Sequence, residues 1–198
     1  MTVYADNAAT TKISDIAFDA MLPFLKDIYA NPSSLHTLGQ GSKEYLEQAR
    51  ERVAKAIGAT AKEIYFTSGG SEADNQAIRT AAYNGLKKGK NHIISSKFEH
   101  HAVLHTLNAL EKEGFEVTLV EVNSNGIIKP EDVEKAITDK TCLITIMAAN
   151  NEIGTIQPIA EIGEIAKKNN IVFHTDAVQE VCHISVEVNE LNVYMLSA

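Results

Sequence analysis

Tryptophan is absent from this 198-residue chain, and its other aromatics, six Phe and six Tyr, make up only 6% of it. A core drawn from that composition is aliphatic. The chain has only two cysteines, Cys142 and Cys182, which excludes a disulfide framework and suits a reducing compartment. Cys142 lies in the apolar run Thr141 to Ile146, so burial as a small hydrophobe is expected for it. No apolar run approaches the roughly 20 residues of a membrane-spanning helix. The opening Met1-Thr2-Val3-Tyr4-Ala5-Asp6 lacks the basic and apolar regions of a signal peptide, and a cytoplasmic location is expected. Positive charge is in deficit, 18 Lys and Arg against 26 Asp and Glu, a formal net charge of −8. Nucleic acid and anionic membrane are therefore poor partners. No metal site is expected.

What is present is ordinary for a globular protein: 44% hydrophobic residues, 22% charged and enough length for one sizeable core. Helical and strand-like segments alternate, which predicts βαβ units and a mainly parallel sheet flanked by helices. Helices are expected from Ser14 to about Ile28, with Ile16, Ala20, Leu22 and Leu25 as apolar positions, and from Ser42 to Ile57. In the second, Leu46, Ala49, Val53, Ala56 and Ile57 share a face and Gly58 ends it. Further helices are expected from Ser71, from His101 to Glu113, from Pro130 to about Ile137 and from Pro158 to Lys168. Strands are expected at Ile64–Phe66, His92–Ser95, Phe115–Val122, Leu143–Met147, Ile171–Phe173 and from Val193. No repeat or flexible linker interrupts them, so the chain reads as one globular unit, 14–198, behind an N-terminal segment, 1–13, that contributes to the active-site side.

Two segments suggest a ligand held from both ends. Thr67-Ser68-Gly69-Gly70-Ser71-Glu72-Ala73-Asp74 follows the Ile64–Phe66 run and opens a helix. Free N–H groups and the helix dipole there favour a phosphate, although a Gly-Gly turn is as readily a plain tight turn. Asp74, three residues beyond Ser71, reads as close to a capping box. Downstream, Ile171 to Gln179 is a buried strand delivering Asp176 at its end, where a carboxylate can pair with a protonated ring nitrogen or simply cap a helix. Phosphate at one end and pyridinium at the other describe pyridoxal 5′-phosphate (PLP).

Six motifs occur in one order: Asp6–Thr11, Asn31–His36, Thr67–Asn75, Glu99–Leu104, Asn150–Gly154 and His174–Gln179. As a set they closely resemble the cysteine desulfurases of the NifS/IscS type, within the class V aminotransferase-like PLP enzymes. The resemblance implies the large PLP-binding domain of fold-type I enzymes, truncated before the C-terminal domain. It also implies conversion of L-cysteine to L-alanine with sulfur passed on as a persulfide, a sulfur-acceptor or scaffold partner protein, and a homodimer. Residue by residue, it assigns Asp176 to the ring nitrogen, His100 to stacking and proton transfer, and Gln179 and Asn151 to the ring hydroxyl. Gly70 and Ser71 fall to the phosphate, and Asn31 and His36 to the substrate side. Adjacent His101 competes with His100, and structural turn roles compete for Asn31 and His36. The family's PLP lysine lies in a Ser-X-His-Lys stretch expected just beyond Ala198, and neither cysteine matches the family's sulfur-accepting position. The chain alone is thus expected to be catalytically incomplete, binding PLP weakly and without a covalent bond. Glu180, Cys182 and Tyr194 depart from the small residue, glycine and acid usual at those places. Alternatives are a non-catalytic, partner-binding remnant of the fold, or another class V enzyme such as a selenocysteine lyase or aminotransferase.

Overall fold

The computed structural model describes every residue except Met1, Ala8, Ala9, Cys182 and Ser185. Cys182 and the middle of the Asp6–Thr11 motif therefore lie outside the described residues. The chain forms two compact units, Met1–Ile64 and Tyr65–Ala198, a division well past the one expected at residue 13.

In the first unit, helix α1 (Asp15–Lys26) starts where Ser14 Oγ accepts the Ala17 N–H at 3.2 Å, yet no residue of the helix is buried. Its expected apolar positions Ile16, Leu22 and Leu25 are exposed. Helix α2 (Thr37–Ala56) begins ahead of the expected Ser42 because His36 caps it, its Nδ1 accepting the Gly39 N–H at 3.2 Å. Of its expected buried face, Ile57 is buried while Val53 and Ala56 are exposed; Ala54 is buried in their stead. Gly58, at φ 71°, ends the helix as expected. A 3₁₀ turn, Ala61–Glu63, follows, fixed by Glu63 Oε2 accepting from Thr60 N and Oγ1 at 2.8 and 2.7 Å. The Arg50 guanidinium donates to the Ile64 carbonyl, so the unit closes on itself at its end.

The second unit is a five-stranded parallel sheet, β1 (His92–Ser96), β2 (Glu116–Val120), β3 (Thr141–Thr145), β4 (Val172–Asp176) and β5 (Met195–Ser197), in the order β2-β1-β3-β4-β5. The helices are α3 (Gly70–Leu86), α4 (His101–Lys112), α5 (Pro130–Ala136) and α6 (Ile159–Lys168). One face is sealed by Ile78, Ala81 and Ala82 of α3 with Val103, Leu107 and Leu110 of α4, against Ile93 and Leu143. Val133 of α5 with Ile159, Ile162 and Ala166 of α6 seals the other, against Ile94, Ile144 and Phe173. Every residue of β1 and β3 is buried, as covering both faces of the sheet requires. Strand β2, at an edge, is mostly exposed.

Ile64–Phe66 is not a strand: the segment takes no part in the sheet, and Tyr65 and Phe66 are 76% and 51% exposed. The three residues sit where one unit gives way to the next, with no neighbouring strand to pair with. From β1 the chain goes to β2 on one side and returns to β3 on the other. That reversal opens a crevice between the carboxyl ends of β1 and β3, the place where open α/β sheets take ligands.

Candidate cofactor site

The carboxyl ends of the strands gather acids. Asp176 ends β4 and is 7% exposed. One of its oxygens accepts the Val178 N–H at 3.1 Å, and the other has no hydrogen-bond partner among the described residues. Burial raises its pKa, against the Val178 bond and the nearby His100. Glu99, in the segment after β1, reaches across the crevice. Both its oxygens accept the Met147 N–H at 3.0 Å, and Oε1 also accepts the Ser96 hydroxyl at 2.8 Å. Burial pushes its pKa up to about 8 despite those bonds, with the charges of Asp176 and Asp74 adding to the rise. Asp74, from α3, is 1% exposed and is pushed up to about 7 by burial and by Asp176. His174, buried in β4, is held neutral, its pKa lowered by burial to about 3. Among the described residues, no Lys or Arg pairs with any of these acids.

His100 caps α4: its Nδ1 accepts the Ala102 N–H at 3.2 Å. Nδ1 is thus unprotonated and Nε2 carries the hydrogen. The ring is exposed and near enough to Asp176 to lower that acid's pKa. The adjacent turn is tied to the same segment, since Asn150 Nδ2 donates to the Phe98 carbonyl at 3.2 Å while its Oδ1 accepts from Glu152 and Ile153 N–H. Asn150 therefore serves the turn, and half-buried Asn151 follows it. Gln179 is half-buried in the segment after Asp176.

Helix α3 starts at Gly70 behind Gly69, without a side-chain cap from Ser71 and Asp74. Glu72 instead reaches back, accepting from Ser68 N and Oγ at 2.6 and 2.7 Å. The N–H groups of Gly70 and Ser71 have no hydrogen-bond partner among the described residues. Gly70 packs so close to the segment after β4 that a Cβ on it would meet Val178 Cγ2 at 2.7 Å. The glycine turn and the Asp176 loop are therefore neighbours. Gly70, Ser71, His100, Asn151, Asp176 and Gln179 lie on adjoining segments at one end of the sheet. Asn31 and His36 belong to the first unit, where both serve its turns: Asn31 Oδ1 accepts the Ser33 N–H at 2.8 Å, and His36 caps α2.

Sequence reasoning missed two residues of this cluster as participants, Asp74 and Glu99. For Asp74 a signal existed. Along α3 the buried positions are 74, 78, 81, 82 and 85, a helical stripe whose apolar members place Asp74 on the inward face.

The residues present fit PLP by their donor chemistry. A cationic ring nitrogen would meet the Asp176 oxygen that has no partner among the described residues, and a phosphate would meet the N–H groups of Gly70 and Ser71. A family model described as aminotransferase class-V matches residues 3–198. The cysteine desulfurase IscS of Clostridium botulinum (strain Hall) is 53% identical over 195 residues, covering 98% of this chain and 49% of the relative. That of Methanosarcina thermophila is 53% identical, covering 98% and 48%. A solved structure described as SspA in complex with cysteine superposes with a TM-score of 0.95 at 42% identity, covering 98% of this chain and 56% of the other. A NifS-like protein gives 0.93, also at 42% identity, over 98% and 53%. The chain spans about half the length of the curated relatives it matches.

Proposed function

The chain belongs to the aminotransferase class V family, and from that premise we propose that it supplies the cofactor-binding part of a PLP-dependent cysteine desulfurase. The reaction converts L-cysteine and an acceptor thiol to L-alanine and a persulfide on that thiol. Cysteine as substrate is supported by the desulfurase relatives and by the structural relative described in complex with cysteine. A protein sulfur acceptor, a homodimer and a cytoplasmic setting belong to the same reading. No helix among the described residues is long and apolar enough to cross a membrane.

PLP, when bound, supplies an electron sink for the substrate α-carbon. Asp176 carries the proposal: an oxygen with no partner among the described residues sits at a strand end beside acids whose pKa values burial raises to about 7 and 8. Below about pH 7 burial keeps the protons on Asp74 and Glu99, and Asp176, bonded to the Val178 N–H and near His100, is the carboxyl placed to hold the ring-nitrogen proton. His100, committed through Nδ1 to the cap, offers Nε2 as the atom that gives or takes a proton. Gly70 and Ser71 would hold the phosphate with their N–H groups and the Ser71 hydroxyl.

Titrating PLP into the 198-residue chain tests the reading. A charge-assisted bond contributes about 1.5–3 kcal/mol, so Asp176→Ala is expected to weaken binding roughly 10- to 150-fold. Equal affinity in the two proteins overturns the assignment of Asp176 to the cofactor.

A further inference from the structure

Asp74 is the buried group that the proposed function leaves without a direct task. His174 and Asp176, two residues apart on β4, share one face of the strand. Asp74 approaches both from α3: its Oδ1 lies 3.7 Å from His174 Nε2, and Asp176 acts on it electrostatically. That Oδ1 is buried without a hydrogen-bond partner among the described residues. His174 has both ring nitrogens engaged, Nδ1 with Thr145 Oγ1 at 2.8 Å and Nε2 with Ser197 Oγ at 2.9 Å. Ser197 in turn interacts with the Asp74 carboxyl through its side chain.

The hydrogens in this chain cannot be placed independently. A carboxylate only accepts, a hydroxyl has one proton to give, and a neutral imidazole has one N–H. If Ser197 gives its proton to Asp74, it must accept from His174, and His174 Nδ1 is then left to accept from Thr145. We propose that Asp74, as a carboxylate, is a positioning residue that fixes His174 as its Nε2–H tautomer through Ser197. Thr145, His174 and Ser197 then form one directed hydrogen-bond chain from β3 through β4 to β5, with the Asp74 carboxyl of α3 beside its Ser197 end. The charged and titratable groups facing Asp74 are His174 and Asp176 from β4 and Glu99 from the segment after β1. None of them is a cation that would draw the Ser197 proton elsewhere. The chain ties the two strands together just before Asp176, so it sets the backbone on which that carboxylate stands.

Long-range proton–nitrogen correlation spectra of the uniformly ¹⁵N-labelled 198-residue chain test this without any cofactor. Spectra are recorded at about pH 8.5, above the range in which Asp74 keeps its proton. The wild-type spectrum is expected to show His174 as the Nε2–H form alone, and Asp74→Ala is expected to lose that single pattern and show both tautomers. An Nδ1–H His174 in the wild type overturns the proposal, and so does an unchanged single tautomer in the folded variant. Should Asp74→Ala not fold, Ser197→Ala, which removes the link between the two side chains, takes its place, and an unchanged single Nε2–H pattern in it overturns the proposal. A failure of PLP to bind leaves this result standing, which separates the inference from the cofactor reading.

Discussion

His92, at the amino end of the sheet, is enclosed by hydroxyls: Thr141 Oγ1 at 2.7 Å, Thr118 Oγ1 at 2.9 Å and Thr138 Oγ1 at 3.4 Å. His174, toward the carboxyl end, has Thr145 and Ser197 as close partners but also faces Asp74 at 3.7 Å, with Asp176 two residues on. Burial lowers the pKa of both histidines. At the amino end the polar network is built from neutral groups that satisfy one another, which is what a stable interior asks for. At the other end, among the described residues, acids are buried without a Lys or Arg partner, an arrangement that costs stability and is typical of a place where a ligand supplies the missing charge. The same sheet thus separates a structural end from a chemical one.

The pH dependence of stability is where this contrast shows most strongly. Asp74, Glu99 and Glu180 have folded-state pKa values raised to about 7, 8 and 7, with burial the largest cause in each. Their stabilising contribution is therefore present near pH 4 and lost as pH rises through 7 to 8. His174, lowered to about 3, contributes stability that is present above pH 6.5 and lost as pH falls toward 3. Between about pH 4 and 6.5 the three acids outweigh the one histidine, so the combined contribution of these groups is greatest near pH 4 and falls as pH rises. The melting temperature followed by circular dichroism should fall by roughly 5 °C or more between about pH 6 and about pH 9. Asp74→Asn should flatten that fall, and a flat profile in the wild type would remove the electrostatic difference between the two ends.

A smaller effect is expected at the glycine turn. Gly70→Ala sets a Cβ 2.7 Å from Val178 Cγ2, and a β-branched neighbour has little room to move. The cost should be about 1–3 kcal/mol of unfolding free energy, with PLP affinity falling as the turn shifts from the Asp176 loop. Denaturant titration and PLP titration on one sample check both halves.

Thr141→Val sharpens the comparison from the structural end. Thr141 Oγ1 bonds His92 Nδ1 at 2.7 Å and accepts the Thr138 N–H at 2.8 Å, so its loss should cost about 1–2 kcal/mol. PLP affinity should stay within about twofold, because nothing at the carboxyl end is touched. A larger change in affinity would show the two ends to be coupled.

Much of the fold was legible because short apolar stretches, Ile93-Ile94 and Cys142-Leu143-Ile144, mark strands that are buried on both faces, His92–Ser96 and Thr141–Thr145. Ile64–Phe66 looked alike over three residues, too short for the pattern to exclude an exposed connection. Helix α1 carries apolar residues at helical spacing, yet spacing says nothing of whether a surface exists to cover them. At the site, the place of Asp176 at the end of a buried strand was legible from the apolar run before it. The state of Asp74 and Glu99 was not, because the burial that raises their pKa values comes from segments distant in sequence. The Glu99 bond to Met147 spans 48 positions, and no local window contains both.

That span has a consequence for how the protein acquires its site. The Glu99 clasp closes the crevice between β1 and β3, and the whole α4–β2–α5 stretch must be looped out before the two strands can meet. Closing so long a loop loses chain entropy before any non-local contact compensates for it, which makes parallel pairing slow. The crevice therefore exists only after the central strand pair has formed, and a partly folded chain that has β1 and β2 alone has no place for a cofactor. The site thus depends on a non-local pairing, and the clasp joins its two sides.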